Sequence, residues 1–159
     1  MPYLPNPDFL RRAIGLASQN VLSGRGGPFA ALIVRNGQIV AEGANSVTST
    51  NDPTAHGEVN AIRNACASLG TFSLAGCEIY TSCEPCPMCL AAIYWARLGA
   101  IYFGSNQQDA AQAGFDDAYL YDEFRKDSAN RSIPCVQMLR DEASAAFATW
   151  QALPTKIDY

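Results

Sequence analysis

Histidine is nearly absent from this chain: it occurs once in 159 residues, as His56. Basic runs are absent too. The 11 lysines and arginines are scattered and outnumbered by 15 acidic residues, giving a net charge of −4 and a pI near 4.8. Nucleic-acid binding draws much of its affinity from Lys and Arg neutralising phosphates, so a small neutral partner is favoured over a polynucleotide. No apolar run approaches the roughly 20 residues needed to span a bilayer. The opening Met1-Pro2-Tyr3-Leu4-Pro5-Asn6-Pro7-Asp8 lacks the basic region and apolar core of a secretory signal, and the expected location is the cytoplasm. In that setting Cys66, Cys77, Cys83, Cys86, Cys89 and Cys135 are expected to be thiols and ligands rather than a disulfide framework. What is present, 48% hydrophobic against 16% charged residues, fits one compact domain with a real core.

The lone histidine stands in Thr54-Ala55-His56-Gly57-Glu58, and downstream lies Cys83-Glu84-Pro85-Cys86-Pro87-Met88-Cys89. His56, Cys86 and Cys89 offer one imidazole and two thiolates. Catalytic zinc takes three protein ligands and leaves its fourth position to water, whereas structural zinc closes all four. Zinc lowers the pKa of such a water to about 7. Glu58, two residues from a ligand and not needed as one, is the natural proton carrier, a role typically worth roughly 10²–10⁴-fold in rate. Competing readings exist. Cys86-x-x-Cys89 alone also suits a redox pair. Cys83 repeats the spacing and invites a closed four-ligand site or an iron–sulfur cluster. A cluster needs a fourth thiolate nearby, however, and a closed site leaves Glu58 without a task.

The periodicities place these residues. Asn6-Pro7-Asp8 followed by Phe9, Leu10, Ala13, Ile14, Leu16 and Ala17 predicts a capped amphipathic helix ending before Gly24. Phe29 to Val34 and Gln38 to Gly43, joined by Asn36-Gly37, predict a hairpin. A loop from Asn45 to Pro53 leads to a helix starting near His56, then a strand from Cys77 to Thr81. The cysteine segment opens a further helix, with Pro85 at its entry, and a strand follows from Ala100 to Phe103. Short helical pieces from Gln107 to Phe124, an edge strand from Ile133 to Leu139 broken by Pro134, and a last helix from Asp141 to Leu153 complete the pattern. The order predicts an α/β sandwich around one sheet, with parallel crossovers late in the chain. It also sets all three ligands at or near helix N-termini, where the macrodipole stabilises anions.

With Gly27-Pro28-Phe29-Ala30-Ala31, Asn45 and the two metal motifs in view, the chain resembles the cytidine-deaminase-like superfamily over nearly its whole length. Within that superfamily it is similar to the bacterial guanine deaminases of the small zinc type, through Ala113-Gly114-Phe115-Asp116-Asp117, Tyr119, Tyr121 and Tyr159. The resemblance implies a three-layer α/β/α sandwich with a five-stranded mixed sheet, in one zinc-dependent deaminase domain over residues 1–159. It implies one zinc per chain and a homodimer whose C-terminal segments are exchanged to close the partner's site. The implied reaction is hydrolysis of guanine to xanthine and ammonia, with a zinc-bound hydroxide attacking and Glu58 moving protons. Asn45 would bind the purine. Asp117 and Tyr159 would help recognise it, with Asp117 sharing proton transfer with Glu58, and Phe29 would pack near the pocket. The bland counterparts are a turn residue for Asn45, a helix cap for Asp117 and a frayed end for Tyr159; Glu123 reads as a solvated acid in the same segment. Other substrates open to this chemistry are cytosine, ammeline or a tRNA adenosine, the last disfavoured by the acidic pI. A structural zinc module is the non-enzymatic alternative.

Overall fold

The first helix starts at Asn6 for a local reason: its side chain accepts the N–H of Asp8 at 2.9 Å, and Pro7, which has no N–H to satisfy, takes the first helical position. The structure, a computed structural model, describes residues 4–115 and 117–159. Helix α1 (Pro7–Leu22) buries Ala13, Ala17 and Asn20 along one face. Strands β1 (Ala30–Arg35) and β2 (Gln38–Ala44) form the expected hairpin. Asn36 and Gly37 both take positive φ (52° and 73°), as the favoured two-residue turn requires. A short helix α2 (Val47–Thr50) lies within the stretch expected to be loop, its Thr50 hydroxyl folding back onto the Ser46 carbonyl at 2.7 Å. Then come α3 (Gly57–Leu69), β3 (Cys77–Cys83), α4 (Pro87–Trp95), β4 (Ala100–Ser105) and α5 (Gln107–Gln112). The residue at the entry of α4 is Pro87, one past the N-cap Cys86, rather than Pro85.

The strands run in the order β2-β1-β3-β4; β1 is antiparallel to both neighbours, and β3 and β4 are parallel. The sheet is therefore mixed, and α4 bridges its parallel pair. Alternation along the strands separates two cores. Ala31, Ile33 and Ile79 pack with Ala61 and Ala65 of α3 and Ile93 of α4. Leu32, Val34 and Tyr80 pack with Ala13 of α1 on the other side. This is the expected three-layer arrangement.

Its sheet has four strands among the described residues, where five were expected. Residues 133–139 join no ladder. Pro134 cannot donate to one, and Ile133 and Val136 are each 78% exposed.

The chain divides into two compact units, the first ending at Asp117 and the second spanning Ala118–Tyr159. The second holds α6 (Ala118–Arg125), a 3₁₀ turn at Ser128–Asn130 and α7 (Arg140–Ala152). Within it Glu123 departs from the solvated reading. It is buried, accepts the Ser132 N–H at 2.8 Å and hydroxyl at 2.9 Å, and pairs with Lys126. Lys126 and Ser132 together hold its carboxyl down to about 2. No helix among the described residues is long and apolar enough to cross a membrane.

One glycine fixes how α3 meets the sheet. A Cβ at Gly43 would lie 2.2 Å from the Ala61 nitrogen and 2.4 Å from the Gly57 carbonyl oxygen, so the helix backbone rests directly on β2. Gly43→Ala is expected to cost about 3 kcal/mol through overpacking and to lower Tm by about 10 °C. A thermal melt matching the parent protein would contradict this close approach.

Candidate active site

The start of α3 carries the first site residues. His56 is its N-cap, with extended backbone (φ −71°, ψ 156°). Gly57 lets the helix end approach β1, because a Cβ there would meet the Ala30 Cα at 2.8 Å and the Phe29 carbonyl oxygen at 3.1 Å. Glu58 follows in the first turn. At α4 the N-cap is Cys86, and Cys89 lies one turn further on. Two helix N-termini thus converge from one side of the sheet, and their dipoles favour the negative charge of thiolates and carboxylate.

The convergence is tight. His56 Nδ1 lies 3.6 Å from Cys86 Sγ and 3.5 Å from Cys89 Sγ, and the three donor atoms all fall within 4.8 Å of one another. A tetrahedral zinc with Zn–S of about 2.3 Å and Zn–N of about 2.0–2.1 Å sets such N···S edges at about 3.6 Å. The donor set and its spacing therefore fit zinc with a fourth position open. Cys83 takes no part. Its thiol donates instead to the Asn106 carbonyl at 3.7 Å, and burial pushes its pKa up to about 11. Cys83→Ser is expected to retain close to one zinc per chain by metal analysis. A variant emptied of metal would mean the site has four protein ligands.

The titratable groups respond to this crowding. Cys86 is drawn down to about 4, first by the thiol of Cys89 and then by His56, against the opposing effect of burial. Cys89 is pushed up by donating to that same sulfur and by burial. His56 is raised, chiefly by its contact with Cys86. Glu58 is only 5% exposed, and burial raises its carboxyl, with the Cys86 thiolate adding to the effect. A carboxyl so raised trades a proton more readily near neutrality than an ordinary one.

A cavity of about 240 Å³ opens onto these groups; His56, Glu58 and Cys86 share its lining with Asn45, Phe29 and Asp117. Asn45 is 7% exposed, and its Oδ1 accepts the N–H groups of Gly27 and Val47, each at 3.3 Å. Both donors fix the carboxamide so that its Nδ2 hydrogens remain for other acceptors. Phe29 meets Phe115 edge to face, with centroids 4.8 Å apart and planes at 87°.

The structure thus brings together Asn45, His56, Glu58, Cys86, Cys89 and Asp117. Every described residue lining the cavity belongs to the first unit. Tyr159 belongs to the second, where it is 75% exposed. Asp116, part of the Ala113–Asp117 motif, lies outside the described residues. Sequence reasoning had not assigned Val47, Thr48, Glu84 or Phe115 to the site, yet all four line it. Phe115 and Glu84 fall inside motifs already singled out, which was the available signal. Glu84 also accepts the Gln107 N–H at 3.2 Å, tying the cysteine segment to the start of α5.

Comparison with known proteins agrees with this geometry. Residues 6–105 match the family described as cytidine and deoxycytidylate deaminase zinc-binding region. The chain is 52% identical to a guanine deaminase of Bacillus subtilis over 151 residues, covering 95% of this chain and 97% of the relative. An X-ray structure of guanine deaminase from Bacillus subtilis superposes with a TM-score of 0.95 at 50% identity, covering 98% of this chain and 99% of that one. A tRNA-specific adenosine deaminase of Agrobacterium fabrum is 42% identical over 79 residues, which is 50% of this chain and 52% of that protein.

Proposed function

The chain belongs to the cytidine and deoxycytidylate deaminase zinc-binding family, and from that premise we propose that it hydrolyses guanine to xanthine and ammonia. One observation carries the reading. A single small cavity joins a His/Cys/Cys donor set, a buried glutamate and a fixed asparagine amide. At about 240 Å³ it falls below the roughly 300–1,000 Å³ typical of pockets for drug-sized ligands, which suits a free base better than a nucleotide. The full-length likeness to a guanine deaminase, against half-length likeness to a tRNA deaminase, supports the same choice.

In this reading His56, Cys86 and Cys89 hold one zinc per chain. When bound there, zinc supplies a Lewis acid that brings the pKa of water to about 7. Glu58 accepts one proton from the attacking water and delivers it to a ring nitrogen, then carries the remaining proton of the added hydroxyl to the exocyclic amine, which leaves as ammonia as the carbonyl forms. Asn45 donates through Nδ2 to an acceptor on the purine, and Asp117 accepts from its donors. Phe29 and Phe115 offer apolar contact to the ring faces and exclude water. A panel of guanine, cytosine, adenine, guanosine, cytidine and ammeline tests the substrate. Ammonia release is expected fastest from guanine; a higher kcat/KM for cytosine or ammeline would overturn the assignment.

We also propose a homodimer whose C-terminal segments complete the partner's site, with Tyr159 recognising the base. Helix α7 buries none of its residues, and Val136, Phe147 and Tyr159 are 78%, 71% and 75% exposed. Exposed apolar side chains along this segment favour an interaction surface, and a second copy of this chain is its proposed occupant. Deleting residues 157–159 is expected to reduce kcat/KM for guanine at least about tenfold, close to 1.4 kcal/mol of transition-state binding. Zinc content should be unchanged, and a truncated protein as active as the full chain would remove Tyr159 from the site. The six free cysteines support a reducing, cytoplasmic setting.

A further inference from the structure

Asn20 is the polar residue that α1 buries, at 6% exposure, and it is not among the residues lining the cavity. A buried amide must spend its hydrogen bonds on the protein. Asn20 Nδ2 spends both hydrogens on two backbone carbonyls, that of Gly27 at 2.9 Å and that of Asn45 at 2.8 Å. Those two residues already bond to each other, since the Gly27 N–H donates to Asn45 Oδ1. The three residues form a closed ring of hydrogen bonds.

Two more features tighten that ring. A Cβ at Gly26 would lie 2.2 Å from the Asn45 carbonyl oxygen and 2.8 Å from its Oδ1, so this backbone passes directly against Asn45. The Asn45 N–H donates to the Phe29 carbonyl at 2.9 Å. Residues 26–29 and Asn45 therefore move as one piece, and Asn20 is the side chain that pins both halves to α1. If the pin is lost, Gly27 N–H is no longer aimed at Oδ1, and the Asn45 carboxamide can rotate.

We propose that Asn20 is a positioning residue for base recognition, acting through Gly27 and Asn45 without touching the base. The proposal rests on the reading that Asn45 contacts the substrate. It assigns Asn20 to binding rather than to the chemical step, because His56, Glu58, Cys86 and Cys89 sit on other elements.

A double-mutant cycle tests it. Asn20→Ala is expected to raise KM for guanine about tenfold, with kcat within about twofold of the parent and zinc retained. In an Asn45→Ala background the same substitution is expected to change KM by less than about twofold, because the residue it acts through is gone. An equal rise in both backgrounds would show a general structural role and overturn the proposal, as would an unaffected KM in either single variant. Should Asn20→Ala fail to fold, Asn20→Ser, which keeps one donor, enters the same cycle with the same criteria. Wild-type protein that leaves guanine intact would refute the substrate alone; the cycle then runs on whichever base is deaminated.

Discussion

Glu58→Gln is expected to lower kcat by roughly 10²–10⁴-fold while zinc content and Tm stay close to those of the parent. Glutamine keeps the shape and length of the side chain, so the wall that Glu58 gives the cavity survives. What it removes is the ability to take a proton and return it. The carboxyl is buried and raised by that burial, so the neutral amide also removes a costly buried charge and should leave stability level or slightly higher. KM should therefore move little, and the loss should lie in kcat. A glutamine variant retaining half the parent rate would remove Glu58 from proton transfer.

Cys86→Ser and Cys89→Ser are each expected to lose most of the zinc and with it essentially all activity. A serine hydroxyl is a far poorer ligand than a thiolate, and three protein ligands leave no spare donor to compensate. Cys89 is fully buried and Cys86 nearly so, and Cys86, at the start of α4, also lines the cavity. Metal analysis beside a deamination assay checks the pair of losses together. A serine variant that stays metal-loaded and active would break the ligand assignment.

The cysteine pair of the metal motif was legible because local chain geometry creates it, whereas His56, on another helix, was joined to it only by the resemblance of the two motifs to a known family. Residues 86 and 89 are one helical turn apart at a helix start, so their side chains share a face wherever the helix lies. The hairpin was legible for a similar reason, since Asn36-Gly37 encodes its turn. Contacts between distant segments were not. Asn20 reads as one more polar residue near the end of an amphipathic helix, and nothing local says that residues 27 and 45 present carbonyls to it. Glu123 reads as solvated because its partner Ser132 follows an irregular turn with no period. The segment 133–139 carries strand-like residues, but Pro134 interrupts its row of donors and its apolar side chains stay exposed. Val47 and Thr48 entered the site through α2, a helix too short for periodicity to reveal.

On the proposed reading, zinc held by His56, Cys86 and Cys89 drives hydrolysis of guanine. The most direct measurement of this is ammonia and xanthine formation from guanine by the purified protein before chelation, after chelation and after zinc is restored. The expected result is equimolar ammonia and xanthine, lost on chelation and recovered with one equivalent of zinc per chain. Undiminished turnover by the metal-stripped protein, or no xanthine from the zinc-loaded one, would contradict it.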